Sequence, residues 1–314
     1  MKPIVTLTLN PTIDGSASAD IIAPIRKIRT SGERYHPGGG GINVARLVQE
    51  LGGDALALYL AGGATGVLLD DLLKTSGIKC CRIPIKGYTR IAHTVFERST
   101  GKEFRFVPEG PEVSENEWQT CLAQLVTLDF DYIVISGSLP RGLPDTAYTH
   151  VIDIAAAKNA RVILDTSGRA LKTTLGKGIY LVKPNRRELE DLVGHALTQT
   201  AQQIAAARTL IENKAAVIVA VTLGANGALI VSESGAWHVA APPITAHSAV
   251  GAGDSFVGAA TLALSQGRYL DAVLAYGAAA GTAAVLSSGA ELSRAADVDR
   301  LYADLLQKIT YISK

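Results

Sequence analysis

The chain has 314 residues, 47% hydrophobic and 19% charged, and its 30 basic and 29 acidic side chains leave a net charge of +1. Domains run to about 100–200 residues and α/β folds somewhat larger, so one large domain with an appendage fits and three domains are excluded. This composition opposes intrinsic disorder, the balanced charge gives no basic field for nucleic acid or an anionic membrane, and three cysteines exclude a disulfide framework.

The opening MKPIVTLTLNPTID lacks a long apolar core followed by a small-residue cleavage site, so no signal peptide is expected. No run of about 18 uncharged apolar residues follows, and a soluble, cytoplasmic protein is expected. The first strand is predicted over Ile4–Leu9. Helices are predicted over Ile42–Leu51 and Val67–Ser76, flanking a strand at Ala55–Ala61. Cys80 and Cys81 read as buried strand residues, not nucleophiles; adjacent on a strand, they point to opposite faces. Helices at Glu115–Leu128 and Asp145–Lys158 alternate with strands at Tyr132–Gly137 and Arg161–Asp165. A strand at Tyr180–Lys183 precedes helices at Arg186–Leu192 and Ala201–Asn213, then strands at Val217–Leu223 and Ala228–Val231. The last third reads as helical: Asp254–Gln266, Tyr269–Leu286 and Asp297–Ile312. Apolar strands separated by helices predict a parallel sheet covered on both faces.

Two segments, 13–36 and 86–107, break the alternation with extended patterns. IAHTVFER and EFRFV flank the turn Ser99-Thr100-Gly101-Lys102, a hairpin signal. Two such insertions form either a small sheet, serving as a lid or a dimer face, or merely two surface hairpins.

Four segments can carry chemistry. Ala249-Val250-Gly251-Ala252-Gly253-Asp254-Ser255 runs into an apolar helix. Its small residues let backbone N–H groups approach an anion at a positive helix end. Asp254 in that first turn could accept a hydroxyl proton while the amides hold a phosphoryl group; an Asp-capped helix after a Gly turn explains it equally. Pro37-Gly38-Gly39-Gly40-Gly41-Ile42-Asn43 has more glycine than a turn needs and suggests close approach to a ligand, with Asn43 able to bond sugar hydroxyls, or else a flexible hinge. It lacks the Gly-Lys-Ser/Thr ending of a Walker loop. Asn185 and Glu188 lie three apart in a first turn, where they either organise magnesium through water or form a capping box. Thr222-Leu223-Gly224-Ala225-Asn226-Gly227 alone is an ordinary turn. Arg90 and Arg105 suit a phosphate ester as a pair, and solvated strand charges as singles. His36, His93, His150, His195, His238 and His247 are scattered and form no metal cluster.

Together, in order and spacing, these motifs resemble the PfkB/ribokinase family of carbohydrate kinases over nearly the whole chain. TLTLNPTID, PGGGGINVAR, Tyr88-Thr89-Arg90, EFRFV, VISGSLP and VKPN are most similar to its PfkB-type 6-phosphofructokinase branch. The resemblance implies a ribokinase-like three-layer α/β/α sandwich forming one domain over residues 1–314, with a small β-sheet lid from about 13–36 and 86–107. It implies transfer of a phosphoryl group from MgATP to the 1-hydroxyl of fructose 6-phosphate. Tagatose 6-phosphate or fructose 1-phosphate as acceptor, and a sugar-phosphate sensor without turnover, remain alternatives.

By the same resemblance Asp254 is the base, and Gly251, Ala252 and Gly253 form the anion hole. Asp14, Gly39 and Asn43 bind sugar hydroxyls, while Lys27, Arg90, Arg105 and Ser138 surround the sugar phosphate. Lys183, Asn185, Thr222, Gly224 and Gly227 line the ATP site, and Glu188 holds magnesium through water. Ser248, Val250 and residues 287–289 offer oxygens to a potassium ion. Ala249 stands where the family commonly has Thr, and Glu291 where a close relative has Arg. A homodimer through the lid is expected, covering Ile91, His93, Val95, Phe104 and Phe106.

Overall fold

The structure, a computed structural model, describes residues 2–244, 250–286 and 293–312. The chain opens with β1 (Ile4–Thr8), β2 (Thr12–Ala19), β3 (Ser31–Gly38), α1 (Gly40–Glu50), β4 (Ala55–Gly62), α2 (Gly63–Thr75) and β5 (Lys79–Ile85). Next come β6 (Arg90–Glu97), β7 (Lys102–Phe106), α3 (Glu115–Thr127), β8 (Tyr132–Ser136), α4 (Ala147–Ala157) and β9 (Arg161–Asp165). Then follow α5 (Gly168–Thr174), β10 (Ile179–Val182), α6 (Arg186–Val193), α7 (Thr200–Glu212), β11 (Ile218–Thr222), β12 (Ala228–Ser232) and β13 (Gly235–Val239). The last elements are α8 (Ala252–Ser265), α9 (Leu270–Leu286), α10 (Ala295–Leu306) and β14 (Thr310–Ile312).

One ten-stranded sheet runs in the order β14-β13-β12-β11-β10-β9-β8-β1-β4-β5. From β11 to β5 every pairing is parallel; β12, β13 and β14 add antiparallel partners at one edge. The pleat sends alternate side chains to opposite faces, so each central strand feeds two cores. Ile4, Val134, Ile163 and Leu181 join Ile42, Leu69, Phe256 and Leu274 on the face covered by α1, α2 and α8–α10. Val5, Leu7, Ile133 and Leu164 join Trp118, Tyr148, Leu171 and Ile204 on the face covered by α3–α7. This is the expected three-layer α/β/α sandwich. Among the described residues no helix is long and apolar enough to cross a membrane.

The two insertions form one second sheet, β3-β2-β6-β7, rather than separate hairpins. β2 and β6 pair in parallel, with Asp14 opposite Ala92; Thr94 on β6 lies opposite Arg105 on β7. Asp14, Arg90, Ala92 and Arg105 therefore share one face. Tyr35, His93, Val95, Phe104 and Phe106 share the other.

The predicted elements differ from the structure in several places, β13 among them, which was not predicted. The last helix ends at Leu306, and Thr310–Ile312 form a strand on β13, where Tyr311 packs on Trp237 at 5.4 Å between ring centroids. β-Favouring Thr, Tyr and Ile explain the switch. β5 is an edge strand, so Cys80 is exposed and Cys81 half-buried, contrary to the expected burial. α5 has seven residues, too few for a helical period to register in the sequence.

Candidate functional site

A cleft of about 300 Å³ opens between the second sheet and the ends of the main sheet's strands; its lining includes Asp14, Gly39, Asn43, Arg90, Arg105 and Asp254. Asp14 is 8% exposed, and its Oδ1 has no hydrogen-bond partner among the described residues. Burial pushes its carboxyl above the ordinary range, opposed by the Arg105, Arg90 and Arg46 guanidinium groups. A buried acceptor without a donor calls for a ligand hydroxyl. Arg90 donates to the carbonyls of Pro108 at 2.9 Å, Asn10 at 2.8 Å and Pro11 at 3.4 Å. It is thus a brace between the second sheet and the loop after β1, and the two N–H donors left of its fork make no bond among the described residues. The Arg105 side chain is exposed on β7 and makes no hydrogen bond or ion pair among the described residues.

Two expected phosphate ligands are not in the lining of this cleft. Lys27 lies exposed in the connection between β2 and β3. Ser138 is exposed after β8, where its Oγ accepts a hydrogen bond from Asn10 at 3.3 Å. The glycine run also makes room for protein, beyond the close approach to a ligand expected of it: a Cβ on Gly38 would collide with the Asp14 carboxylate, and Gly39 has φ +111° and packs on Thr8 and Pro11. Only Gly39 and Gly40 of the run reach the cleft.

Gly251 takes the left-handed conformation, φ 74°, at the N-cap of α8, and no side chain caps the helix. That conformation is costly for any residue with a Cβ. It leaves the amides of the first turn at a positive helix end beside Gly253 and Asp254. Asp254 accepts from Asn43 Nδ2 at 2.8 Å. Burial pushes its carboxyl up to about 6; Asp165 and Asp14 add to the rise, while Asn43 and Lys183 oppose it.

A second cavity, about 710 Å³, is lined at one end by Asn185, Thr222, Gly224 and Gly227. The rest is largely apolar, including Pro242, Pro243, Phe256, Val285 and Leu305. Gly253 lines both cavities, so they meet at the first turn of α8. Lys183 stands outside both linings. It is buried and ion-paired to Asp165 at 3.0 Å, yet it comes close to Gly253.

Asn185 and Glu188 form a capping box: Glu188 Oε2 accepts from the Asn185 amide at 2.8 Å, and Asn185 Oδ1 from the Glu188 amide at 2.9 Å. Asn185 thus both caps α6 and faces the larger cavity. Burial raises the Glu188 carboxyl. Asp165, Glu188 and Asp254 all act electrostatically on Lys183. Among the described residues no three His, Cys, Asp or Glu side chains form a closed metal cage. Dispersed carboxylates fit magnesium, which keeps waters and travels with phosphates. Ser248, Ala249 and residues 287–291 lie outside the described residues; Val250 lines the smaller cleft.

Two residues of the site were not singled out by sequence reading, Asp165 and Arg46. Asp165 ends β9, a strand terminus of the kind where open α/β sheets bind ligands. Arg46 follows Asn43 by one helical turn within the glycine motif.

Comparison with known proteins shows the family. The sequence profile of the pfkB family carbohydrate kinases matches residues 8–296. An ATP-dependent 6-phosphofructokinase isozyme 2 from Mycobacterium tuberculosis is 42% identical over 304 residues, 96% of this chain and 89% of that protein. The isozyme of the same name from Escherichia coli is 40% identical over 307 residues, 97% of this chain and 99% of that protein. A crystal structure of phosphofructokinase-2 from Escherichia coli in complex with substrates and products superposes with a TM-score of 0.93, covering 96% of this chain and 99% of that one. The Escherichia coli enzyme has also been solved in complex with potassium and in a tetrameric inhibited form. A 1-phosphofructokinase from Bacillus subtilis is 30% identical over 90% of this chain and 93% of its own. An Arabidopsis thaliana ribokinase, 19% identical, shares the fold with a TM-score of 0.75 over 96% of this chain and 99% of its own.

Proposed function

The chain belongs to the pfkB family of carbohydrate kinases, and on that footing we propose that it is an ATP-dependent 6-phosphofructokinase, forming fructose 1,6-bisphosphate from fructose 6-phosphate. The observation that carries the reading is the junction of the two cavities at Gly253, with a carboxylate in the same helical turn. A donor nucleotide in the larger cavity and a sugar phosphate in the smaller one place the transferred group at the start of α8. Asp254 takes the proton of the 1-hydroxyl as it attacks, and the amides of Gly251, Ala252 and Gly253 hold the charge that develops on the phosphoryl oxygens. Asp14 and Asn43 orient the sugar, and Arg105, with the two remaining donors of Arg90, binds its phosphate. Magnesium, held through water by Glu188, neutralises phosphate charge when bound.

The second sheet acts as a lid that keeps water from the donor. Its outward face exposes Tyr35, His93 and Phe106, which a second copy of the chain covers in a homodimer. That arrangement leaves Lys27 and Ser138 as phosphate ligands only after the lid or its loop moves. Oxygens of Ser248 and Val250 are proposed for potassium, and the cytoplasm for the enzyme's location.

The relatives include enzymes for fructose 1-phosphate, so the acceptor is the point to test. Initial rates with MgATP are compared for fructose 6-phosphate, tagatose 6-phosphate, fructose 1-phosphate and fructose. The reading expects the highest kcat/KM for fructose 6-phosphate. Preference for another ester keeps the kinase chemistry and overturns the acceptor; no turnover of any supports the sensor alternative.

A further inference from the structure

Arg46 lies on α1 one turn beyond Asn43. Its Nη1 donates to the Pro37 carbonyl at 2.9 Å and to Asn43 Oδ1 at 3.4 Å. Asn43 in turn donates from Nδ2 to Asp254 Oδ2 at 2.8 Å. We propose that Arg46 is a positioning residue, fixing the orientation of the Asn43 amide so that its NH₂ group holds the base Asp254. The amide has two faces, and the surroundings accept one assignment. Reversed, it would set Oδ1 against the Asp254 carboxylate and NH₂ against the guanidinium, unfavourable at both ends. The bond to Pro37 anchors the guanidinium independently of Asn43, at the residue that opens the glycine run.

Arg46 is not in the lining of the substrate cleft. It lines a separate polar cavity of about 390 Å³ with Gln49, Glu50 and Ser76. A group placed there reaches the reaction only through its neighbours. Two neighbours qualify, Asn43 by hydrogen bond and Asp14 by charge. The routes predict different kinetics. Acting through Asn43, Arg46 affects the base and therefore kcat, whatever it also does to the sugar contact of Asn43. Acting through Asp14, it affects sugar binding and therefore KM.

The inference rests on Asp254 as the base. The experiment is a double-mutant cycle on the full-length protein with MgATP and fructose 6-phosphate: wild type, Arg46→Met, Asn43→Ala and both together. Arg46→Met is expected to lower kcat about tenfold, and to change kcat less than about twofold when Asn43 is already Ala. An equal loss of kcat in both backgrounds, or a change confined to KM, overturns the proposal. Arg46→Lys covers the case in which Arg46→Met does not fold. A Lys ammonium keeps the charge and has donors for both Pro37 and Asn43 on a stem of different shape, so a smaller loss of kcat is expected, again dependent on Asn43. An Asp254→Asn control separates the two levels. If it turns over normally, the base assignment fails and this inference with it. If it is inactive and the cycle is additive, only the role of Arg46 fails.

Discussion

Lys183 Nζ lies 3.0 Å from Asp165 Oδ1, with 5% and 14% of the two side chains exposed. Burial alone would lower the lysine's pKa; Asp165 more than offsets it, with help from Glu188 and Asp254, and the ammonium is held charged. Its proximity to Gly253 puts that charge beneath the place where the cavities join. Asp165→Asn strands a buried cation and is expected to cost about 3 kcal/mol at neutral pH. A raised lysine pKa contributes stability that is complete below the unfolded-state value and is lost only as pH rises through the folded one. The deficit is therefore present throughout the neutral range. Urea unfolding at pH 7 checks it through a lower midpoint at unchanged slope.

The Asp254 carboxyl, pushed up to about 6, must be ionised to accept a proton. The rate constant kcat/KM is therefore expected to fall as pH drops through about 6. A sugar phosphate also titrates near there, at about 6, so the limb alone does not identify the group. Asn43→Ala does, because its amide hydrogen-bonds the charged form of Asp254. Losing that bond raises the carboxyl's pKa and moves the acid limb to higher pH. An unmoved limb assigns the titration to the substrate.

Arg90 and Arg105 are expected to behave differently although both line the cleft. Arg105 is exposed and its removal leaves no carbonyl unpaired, so Arg105→Ala is expected to raise KM for fructose 6-phosphate by about tenfold or more without changing stability. Arg90→Ala also strips a donor from the carbonyls of Asn10, Pro11 and Pro108. It is expected to lower stability by about 1–3 kcal/mol in addition to raising KM. Kinetics and thermal melts on both variants separate the roles; equal stability in the two would remove the bracing role of Arg90.

The outward face of the second sheet predicts self-association. Phe106 is 56% exposed and Tyr35 46%. Phe106→Asp places a charge on that face and is expected to convert a dimer to a monomer in light scattering. A wild-type monomer at assay concentration contradicts the homodimer.

The layered architecture was legible because its strands are short apolar runs and its helices carry an apolar stripe. β1 and β8 show the first; α3 and α7 show the second. The insertions were legible as strands through the alternation around Arg90–Phe106, and the pairing of β2 with β6 was not, since no local pattern encodes a non-local parallel register. Asp254 and Asn43 were legible because each sits in the first turn of a helix after small residues, and Asn185 because it caps one. Arg46 and Asp165 were hidden for opposite reasons. Arg46 looks like a surface charge on an amphipathic helix until the fold half-buries it beside Asn43 and Asp14. Asp165 looks like the polar end of a strand until Lys183, from the next strand, is brought to it. Lys27 is the opposite case, a basic residue legible in its segment that lies exposed outside the cleft lining.

The central claim is that Asp254 is the base of a phosphoryl transfer, and the most direct test is turnover by Asp254→Asn with MgATP and fructose 6-phosphate. Asn keeps the shape and can still meet Asn43, but it cannot take the hydroxyl proton. The account predicts a kcat roughly a thousandfold lower, with fructose 6-phosphate still bound at near wild-type affinity by calorimetry. Turnover within about tenfold of wild type contradicts it.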